Sequence, residues 1–479
     1  MPNSLFPIPW EKMTSFSLRK QNALQNEKLQ HMMRLFPHAP YYAALFQAHA
    51  LNPKKIRNTE DLLKVPFTTK EDIVATFEHP EKASAFVLNP THALHTLPHV
   101  NSLRLFFSKK LKEDLLTEFK PIHVHFTSGR SAMSVPVLYT QYDLLHLQEA
   151  SRRMLFHLKI PHTARVINVF PYAPHLAFWQ TVYATNYLGV FGVHTGGGKG
   201  MGTSKIIDVL EQMRAEAIIG MPSYVYHLLS FAAEQCRDLS SLRYVLLGGE
   251  AVTQGYVEKL KGLLALCGSR LPLVYSTYAF TEGKVSWGQC HEESGYHLYP
   301  DMEFIEIVDP AGHRVPDGQS GEIVYTGLDF RGTVFLRYKT GDIGRLQVGP
   351  CPYCGAKTPR LDPAITRSSE IRSLRLTKIK GSFVDLNAVQ ALLSSLPFID
   401  EWQLVLQKQQ QFDLDEVVIH VAPRHGEDHS FVENEIVRQM ISYFHVTPSV
   451  IFTTKKELVE SLGLETHLKE KRIVDLREK

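Results

Sequence analysis

The stretch AIIGMPSYVYHLLSFAAEQCRDLSSLRYVLLGGE, residues 217–250, decides the fold. It begins with a short apolar segment at 217–220 and ends with another at 244–247, and both are predicted to be strands. The segment between them, 222–236, predicts a helix. Two strands joined by a helix are typical of a parallel sheet covered by helices.

The same alternation continues toward the N-terminus. The apolar, β-branched segment 164–170 predicts a strand, and 177–189 predicts the helix after it. A short strand at 191–194 and a helix at 206–213 follow. The middle of the chain therefore predicts an α/β domain with a mostly parallel sheet.

The pattern changes after about residue 301, where strand-like segments are separated by turns, which predicts an antiparallel appendage. The polar segment 361–373 predicts a linker. Beyond it, helices at 386–396 and 433–442 alternate with strand-like segments. We therefore predict a large N-terminal α/β domain, 1–366, with mostly parallel sheets and an antiparallel appendage, and a small C-terminal α+β domain, 367–479.

Bulk composition excludes several classes of protein. A chain of 479 residues with 44% hydrophobic and 21% charged residues is an ordinary globular protein of two or more domains. Its formal net charge is only +3, which argues against a nucleic-acid partner. The N-terminus lacks a signal-peptide pattern, and no apolar run predicts a membrane span. The odd cysteine count of five disfavours a disulfide framework, so we expect a cytoplasmic protein.

Four short segments carry residues suited to nucleotide chemistry. They are HFTSGRSAMSVPVLYT (125–140), LLGGEAVT (246–253), YAFTEG (278–283) and RYKTGDIGRL (337–346). In this order they resemble the nucleotide-handling motifs of adenylate-forming enzymes, which activate a carboxylic acid with ATP. The phenylacetate–CoA ligase family is the most similar, and the resemblance covers most of residues 30–395.

The first segment resembles the family's phosphate loop. Its hydroxyls and backbone amides are suited to a triphosphate, and the residues that the resemblance places against ATP are Thr127, Ser128, Gly129, Arg130 and Ser131. The chain departs from the family pattern here: Ala132 stands where Gly is usual and Met133 where Lys is usual. Arg130 could replace the missing cation, since a guanidinium binds phosphate well.

The other three segments imply further ATP contacts. By resemblance, Tyr278 lies against adenine, Thr281 contacts phosphate and Glu282 binds Mg²⁺. The Gly248-Gly249-Glu250 turn resembles the one that borders adenine. Asp342 resembles the aspartate that accepts both ribose hydroxyls, a task for which a carboxylate is suited because it only accepts hydrogen bonds.

Two more assignments follow from the resemblance. Lys469, in LKEKRIVDLR, corresponds to a lysine that bridges the acyl carboxylate and the α-phosphate, and it lies in a domain that acts as a mobile lid. Ala279 occupies a position that borders the acyl pocket. The aromatic candidates for an apolar acyl pocket are Phe170, Tyr172, Trp179 and Tyr224.

A second pattern predicts a metal site. Cys290 and His297 are followed by the Cys351-Pro352-Tyr353-Cys354 knuckle, and three cysteines with one histidine form a normal structural zinc set. His291 is a rival to His297. Members of the family carry a similar cluster in these segments, so we predict structural zinc at Cys290, His297, Cys351 and Cys354.

A glycine-rich stretch, GGGKGMGTS at 196–204, is similar to a triphosphate-binding loop but lacks the Ser or Thr that should follow its lysine. We therefore expect Thr203 and Ser204 to cap the next helix instead.

Together these features predict an enzyme that forms an acyl-adenylate from an aryl or acyl acid, with ATP and Mg²⁺, and passes the acyl group to a thiol, with coenzyme A favoured. An amine or a carrier-protein thiol is the alternative acceptor. A third interpretation is a nucleotide-binding homologue that has lost turnover, because the phosphate segment is altered. Carrier-protein partnership and a homodimer are left open.

Overall fold

The computed structural model describes residues 5–74, 81–89, 109–127, 135–367, 377–379, 382–384, 386–408, 415–444, 446–463 and 471–476. The chain divides into two compact units. Unit one comprises Met1–Ala164, Ala173–Gly192 and Tyr275–Ile365, and unit two comprises Arg165–Tyr172, Val193–Val274 and Thr366–Lys479. No helix in these described ranges is long and apolar enough to cross a membrane.

Unit one combines helices with antiparallel strands. Its α-helices are Trp10–Met13, Leu18–Leu35, Pro40–Ala48, Lys70–Ile73, Lys109–Phe119, Gln141–Leu158 and Leu176–Leu188. Short 3₁₀ helices cover Phe36–His38, Pro53–Lys55, Thr59–Lys64, Ser84–Phe86 and Thr281–Gly283. A large core lies between these helices and the sheets, and it includes the fully buried Trp10, Trp287 and Tyr299.

Three sets of strands in unit one position the candidate site. Pro121–Phe126 and Pro136–Thr140 form an antiparallel hairpin. The end of Leu273–Ala279 pairs antiparallel with Ser286–Gly288. A third sheet has the order Glu303–Val308, Ser320–Gly327, Tyr338–Gln347, Arg360–Leu361 and Tyr296–His297, with antiparallel neighbours. The predicted antiparallel appendage is confirmed. The chain continues with the short strand Thr366–Arg367, at the start of the last segment of unit two.

Unit two contains the predicted parallel strands. Arg165–Asn168 pairs in parallel with Ala217–Gly220, which pairs in parallel with Tyr244–Gly248. The remaining short strand predicted in this part of the chain is also present, at Phe191–His194. The helices are Gly197–Met201, Thr203–Gln212, Pro222–Glu234 and Gln254–Leu266. The alternation in the sequence therefore predicted the α/β class correctly.

The predicted cap of one of these helices is wrong. The N-cap residue of Thr203–Gln212 is Gly202, and no side chain caps this end. Gly202 has a φ of 84°, a left-handed conformation that a residue without Cβ adopts at little cost. Thr203 instead lies within the helix, and its hydroxyl is 3.2 Å from the Tyr224 hydroxyl.

The C-terminal part of unit two is an α+β structure with its own core. A four-stranded sheet has the order Ser449–Phe452, Asp415–Pro423, Ile399–Lys408 and Ile473–Asp475. Helices Leu386–Ser395, His429–Phe444 and Lys455–Leu462 accompany it, with a short hairpin of Thr377–Ile379 and Ser382–Val384. Residues such as Leu393, Trp402 and Ile436 are buried together between sheet and helices. The predicted small α+β region is confirmed.

Candidate functional site

Two of the predicted motifs meet in unit one through a pair of crossed hydrogen bonds. The Tyr278 hydroxyl donates to an Asp342 carboxylate oxygen at 2.7 Å. The Tyr338 hydroxyl donates to Glu282 Oε1, also at 2.7 Å. Residues 278–282 and 338–342 thus each supply one tyrosine and one carboxylate, four residues apart, and each tyrosine binds the carboxylate of the other segment.

Local backbone structure explains why these side chains face one another. Tyr278 lies near the end of strand Leu273–Ala279, and its ring stacks on Trp287 with centroids 5.7 Å apart. Glu282 then lies in the one-turn 3₁₀ helix Thr281–Gly283. Asp342 follows Gly341, whose φ is 74°. This conformation, which suits glycine, falls where the pairing of strand Tyr338–Gln347 with its neighbour shifts register. Both carboxylates are largely buried, with 7% exposure for Glu282 and 5% for Asp342.

Of the residues 127–131 that are predicted to bind phosphate, here called the phosphate segment, the structure describes only Thr127. The backbone N–H and hydroxyl of Thr127 exchange hydrogen bonds with the carbonyl and N–H of Val135, at 3.1 and 3.0 Å. These two bonds close the base of the segment between the hairpin strands. The predicted residues Ser128, Gly129, Arg130 and Ser131 lie outside the described residues, and so does Lys469.

The predicted adenine turn lies in unit two, directly after strand Tyr244–Gly248. Gly249 has a φ of 88°. The Glu250 carboxylate accepts hydrogen bonds from the backbone N–H and the hydroxyl of Ser223, both at 3.0 Å. It therefore lies at the beginning of helix Pro222–Glu234, where a negative charge is favourable.

The aromatic candidates for the acyl pocket are divided between the units. In unit two, Phe170 and Tyr224 are buried, whereas Tyr172 is 68% exposed. In unit one, the Trp179 ring lies 5.1 Å from His123, centroid to centroid. Ala279 is exposed at the end of its strand.

The four predicted metal ligands converge in unit one. The ligand atoms of Cys290, His297, Cys351 and Cys354 all lie within 4.8 Å of one another. The sulfur atoms of Cys290 and Cys351 are 3.6 Å apart, close to the edge of roughly 3.8 Å that a tetrahedron with Zn–S bonds of ~2.3 Å requires. The Cys354 sulfur is 3.6 Å from Nε2 of His297.

The chemistry of this donor set fits zinc. Burial lowers the pKa of His297 to about 4, so its imidazole is neutral and can bind a cation. Cys290 and Cys354 share one hydrogen bond, which lowers the pKa of Cys354 and raises the pKa of Cys290, so Cys354 is the thiol of this pair that ionises first. The rival ligand His291 is outside the set of four and stacks on Tyr353 with ring centroids 4.0 Å apart.

Comparison of the sequence with known protein families assigns the chain to one of them. A family model described as "AMP-binding enzyme" matches residues 43–338. The chain belongs to the AMP-binding enzyme family. This is the adenylate-forming superfamily that the motifs predicted, and the matched range includes both crossed pairs except for Asp342, which follows it by four residues.

Several named relatives of this AMP-binding enzyme are coenzyme A ligases. A phenylacetate-coenzyme A ligase of Thermus thermophilus is 26% identical over 413 residues, which cover 84% of this chain and 82% of the relative. One of Aromatoleum evansii is 24% identical over 496 aligned positions, which cover 100% of this chain and 98% of the relative. A 2-hydroxyisobutyryl-CoA ligase in the postadenylation state has a TM-score of 0.76 at 20% identity, covering 97% of this chain and 91% of that one. That likeness shows the shared fold.

Sequence reasoning missed one residue beside the four predicted metal ligands of this AMP-binding enzyme. His157, in helix Gln141–Leu158, stacks on His297 with ring centroids 4.0 Å apart, and its Nδ1 lies 4.0 Å from the Cys354 sulfur. The Trp10 indole N–H points at its Nε2 at 3.3 Å. Because Nε2 accepts this bond, Nδ1 carries the proton and can donate to the sulfur. A histidine on an amphipathic helix gives no sequence signal for such a role.

Proposed function

We propose that this AMP-binding enzyme activates a carboxylic acid, aryl or acyl, as an acyl-adenylate and then transfers the acyl group to the thiol of coenzyme A. The reaction forms a bond between the acid and the α-phosphate of ATP and releases pyrophosphate. In the second step the thiol replaces AMP. The names of the two ligase relatives support coenzyme A as the acceptor and phenylacetate as the first acid to test.

The crossed tyrosine–carboxylate bonds are the observation that carries this proposal. They hold two carboxylates in fixed positions in one unit. A carboxylate is a group that only accepts hydrogen bonds and can accept several, so it suits both a ribose diol and a cation. Asp342 would accept the ribose hydroxyls. Glu282 would hold Mg²⁺, which when bound neutralises charge on the phosphate oxygens.

The remaining assignments rest on the resemblance and on chemistry. Tyr278 would lie against adenine, and Thr281 and the segment from Thr127 to Ser131 would bind phosphate oxygens. Lys469 would stabilise the charge that develops while the adenylate forms. The region 367–479, with its separate core, is the proposed lid that would turn between the two steps.

Structural zinc is part of the proposal. Cys290, His297, Cys351 and Cys354 would complete four-coordination, which leaves no open position for substrate. Zinc held by these side chains would connect the turn around residue 290 to the knuckle at 351–354.

A screen of carboxylic acids by pyrophosphate release, with and without coenzyme A, tests the function. We expect release with at least one acid, and an acyl-CoA product when coenzyme A is present. Adenylate formation without thioester would favour an amine or a carrier-protein thiol as acceptor. No release of pyrophosphate with any acid, despite ATP binding, would mean that the protein only binds nucleotides.

A further inference from the structure

A buried ion pair directly follows the turn that carries Glu282. Lys284 is 1% exposed, and its ammonium donates to Asp143 Oδ2 at 3.0 Å. Asp143 is fully buried. The φ of Lys284 is 63°, a left-handed conformation that is unusual for a residue with a side chain. Lys284 combines this unusual backbone conformation with a buried charge, and it lies two residues after Glu282.

Asp143 connects this ion pair to the hairpin that flanks the phosphate segment. Its carboxylate accepts backbone hydrogen bonds from Thr140 at 2.9 Å, from Arg331 at 2.8 Å and from Gly332 at 2.8 Å. Thr140 is the last residue of strand Pro136–Thr140 and the N-cap of helix Gln141–Leu158. Lys284 therefore joins the Glu282 turn to the strand that returns from the phosphate segment.

The turn is also held from other sides. Tyr338 binds the Glu282 side chain, and the Tyr325 hydroxyl donates to the Gly283 carbonyl oxygen at 3.3 Å. The Lys284 ammonium lies 5.1 Å from the centre of the Tyr139 ring and 5.4 Å from that of Phe330. These contacts restrict both the backbone of the turn and the carboxylate that it carries.

Stability alone does not explain a buried lysine at this position. Burial lowers the pKa of Lys284, although Asp143 opposes that shift. A buried ion pair often contributes little net stability compared with apolar residues of similar volume, but it determines one specific geometry. The Lys284–Asp143 pair fixes the backbone conformation directly after the turn that contains Glu282.

We propose that Lys284 is a positioning residue that holds the Glu282 carboxylate in place for the divalent cation that accompanies ATP. This inference rests on the proposed function. Lys284 does not touch the reacting atoms; it acts through Asp143 and the turn. Outer residues that orient a metal ligand typically change metal affinity or activity by about 10-fold to 100-fold when replaced.

The test compares Lys284→Met, which removes the charge and the donor, with Lys284→Gln, which keeps an N–H donor. Lys28→Met is the matched control, because it also removes a lysine from an ion pair in unit one. Its partner Asp329 keeps bonds to Tyr142 and Arg331. Thermal stability is measured first, and pyrophosphate release is then measured against Mg²⁺ concentration, well below each melting temperature.

We expect the half-saturating Mg²⁺ concentration to rise about 10-fold or more in Lys284→Met, less in Lys284→Gln, and not in Lys28→Met. A lower melting temperature with unchanged Mg²⁺ dependence would overturn the inference, since Lys284 would then be purely structural. Failure of both Lys284 variants to fold would overturn it as well. Absence of adenylation in the wild-type protein, by contrast, would count against the proposed function.

Discussion

Tyr278 and Asp342 are joined by a hydrogen bond of 2.7 Å, and the pair is matched by Tyr338 and Glu282 at the same distance. Each carboxylate is thereby fixed by the segment that carries the other one. A substitution in one segment should therefore change the position of the carboxylate in the other segment. The site is suitable for paired substitutions for this reason.

The first prediction concerns Asp342. Asp342→Ala should raise the KM for ATP by about 10-fold to 100-fold, because the ribose hydroxyls lose a charged acceptor. Tyr278→Phe should have a smaller effect, since the carboxylate remains. Steady-state kinetics with varied ATP measure both. Asp309→Ala, in an exposed turn, is the control, and an unchanged KM in Asp342→Ala would show that the ribose site lies elsewhere.

The second prediction concerns Glu282. Glu282→Gln should lower turnover more than it weakens ATP binding, because it removes the carboxylate charge for Mg²⁺ and keeps a similar shape. Tyr338→Phe should change the Mg²⁺ dependence in the same direction but less. Steady-state assays measure turnover and calorimetry measures ATP binding, so the two effects can be compared separately. Equal loss of binding and turnover would contradict the assignment of Glu282 to the cation.

The third prediction concerns the metal. The purified protein should contain one zinc per chain, and Cys354→Ser should lose most of it, whereas Cys236→Ser should not, since that exposed cysteine is outside the cluster. His157→Gln should weaken zinc binding by about 10-fold to 100-fold through the lost contact with the Cys354 sulfur. Elemental analysis and competition with a chelator measure these values. Protein without stoichiometric zinc would refute the site.

The fourth prediction concerns Lys469 and Lys471, near the C-terminus. Lys469→Ala should slow adenylate formation by about 100-fold or more, the scale of one lost electrostatic donor, and largely spare transfer from a preformed adenylate. Lys471→Ala is the control; its backbone N–H donates to the Leu462 carbonyl at 3.1 Å. Separate assays of adenylate formation and of transfer from a preformed adenylate measure the two effects. A larger effect at Lys471 would show that the wrong lysine was assigned.

The fifth prediction concerns stability and pH. Burial raises the pKa of Glu303 from its usual 4.5 to about 8. The folded protein therefore keeps this proton up to about pH 8, whereas the unfolded chain releases it near pH 4.5. In that window folding takes up a proton, so stability should fall as the pH rises, by a few kcal/mol at most in order of magnitude.

Glu303→Gln cannot lose this proton, and its Oε1 can still accept from the Trp287 indole N–H. The free energy of unfolding of this variant, relative to wild type, should therefore increase from pH 5 to pH 8.5. Urea denaturation at both values measures it. The exposed substitution Glu433→Gln should show no such change, and parallel curves for all three proteins would disprove the protonated state of Glu303.

Much of this protein could be predicted from the sequence by itself, because the signals are local. Period and length of the apolar segments predicted the parallel strands at 217–220 and 244–247, since a strand or helix depends mainly on its own side-chain pattern. The knuckle at 351–354 predicted that its cysteines would meet Cys290 and His297 in one cluster of side chains, because ligand spacing in a short turn is itself a geometric constraint.

Only the tertiary structure decided the long-range pairings. The bond between Tyr278 and Asp342 spans 64 positions, and that between Lys284 and Asp143 spans 141. Neither follows from a local pattern, because which side chains meet depends on strand register and on the turn at residues 281–283. His157 was missed for the same reason: a single helix face does not reveal which ring or sulfur will pack against it.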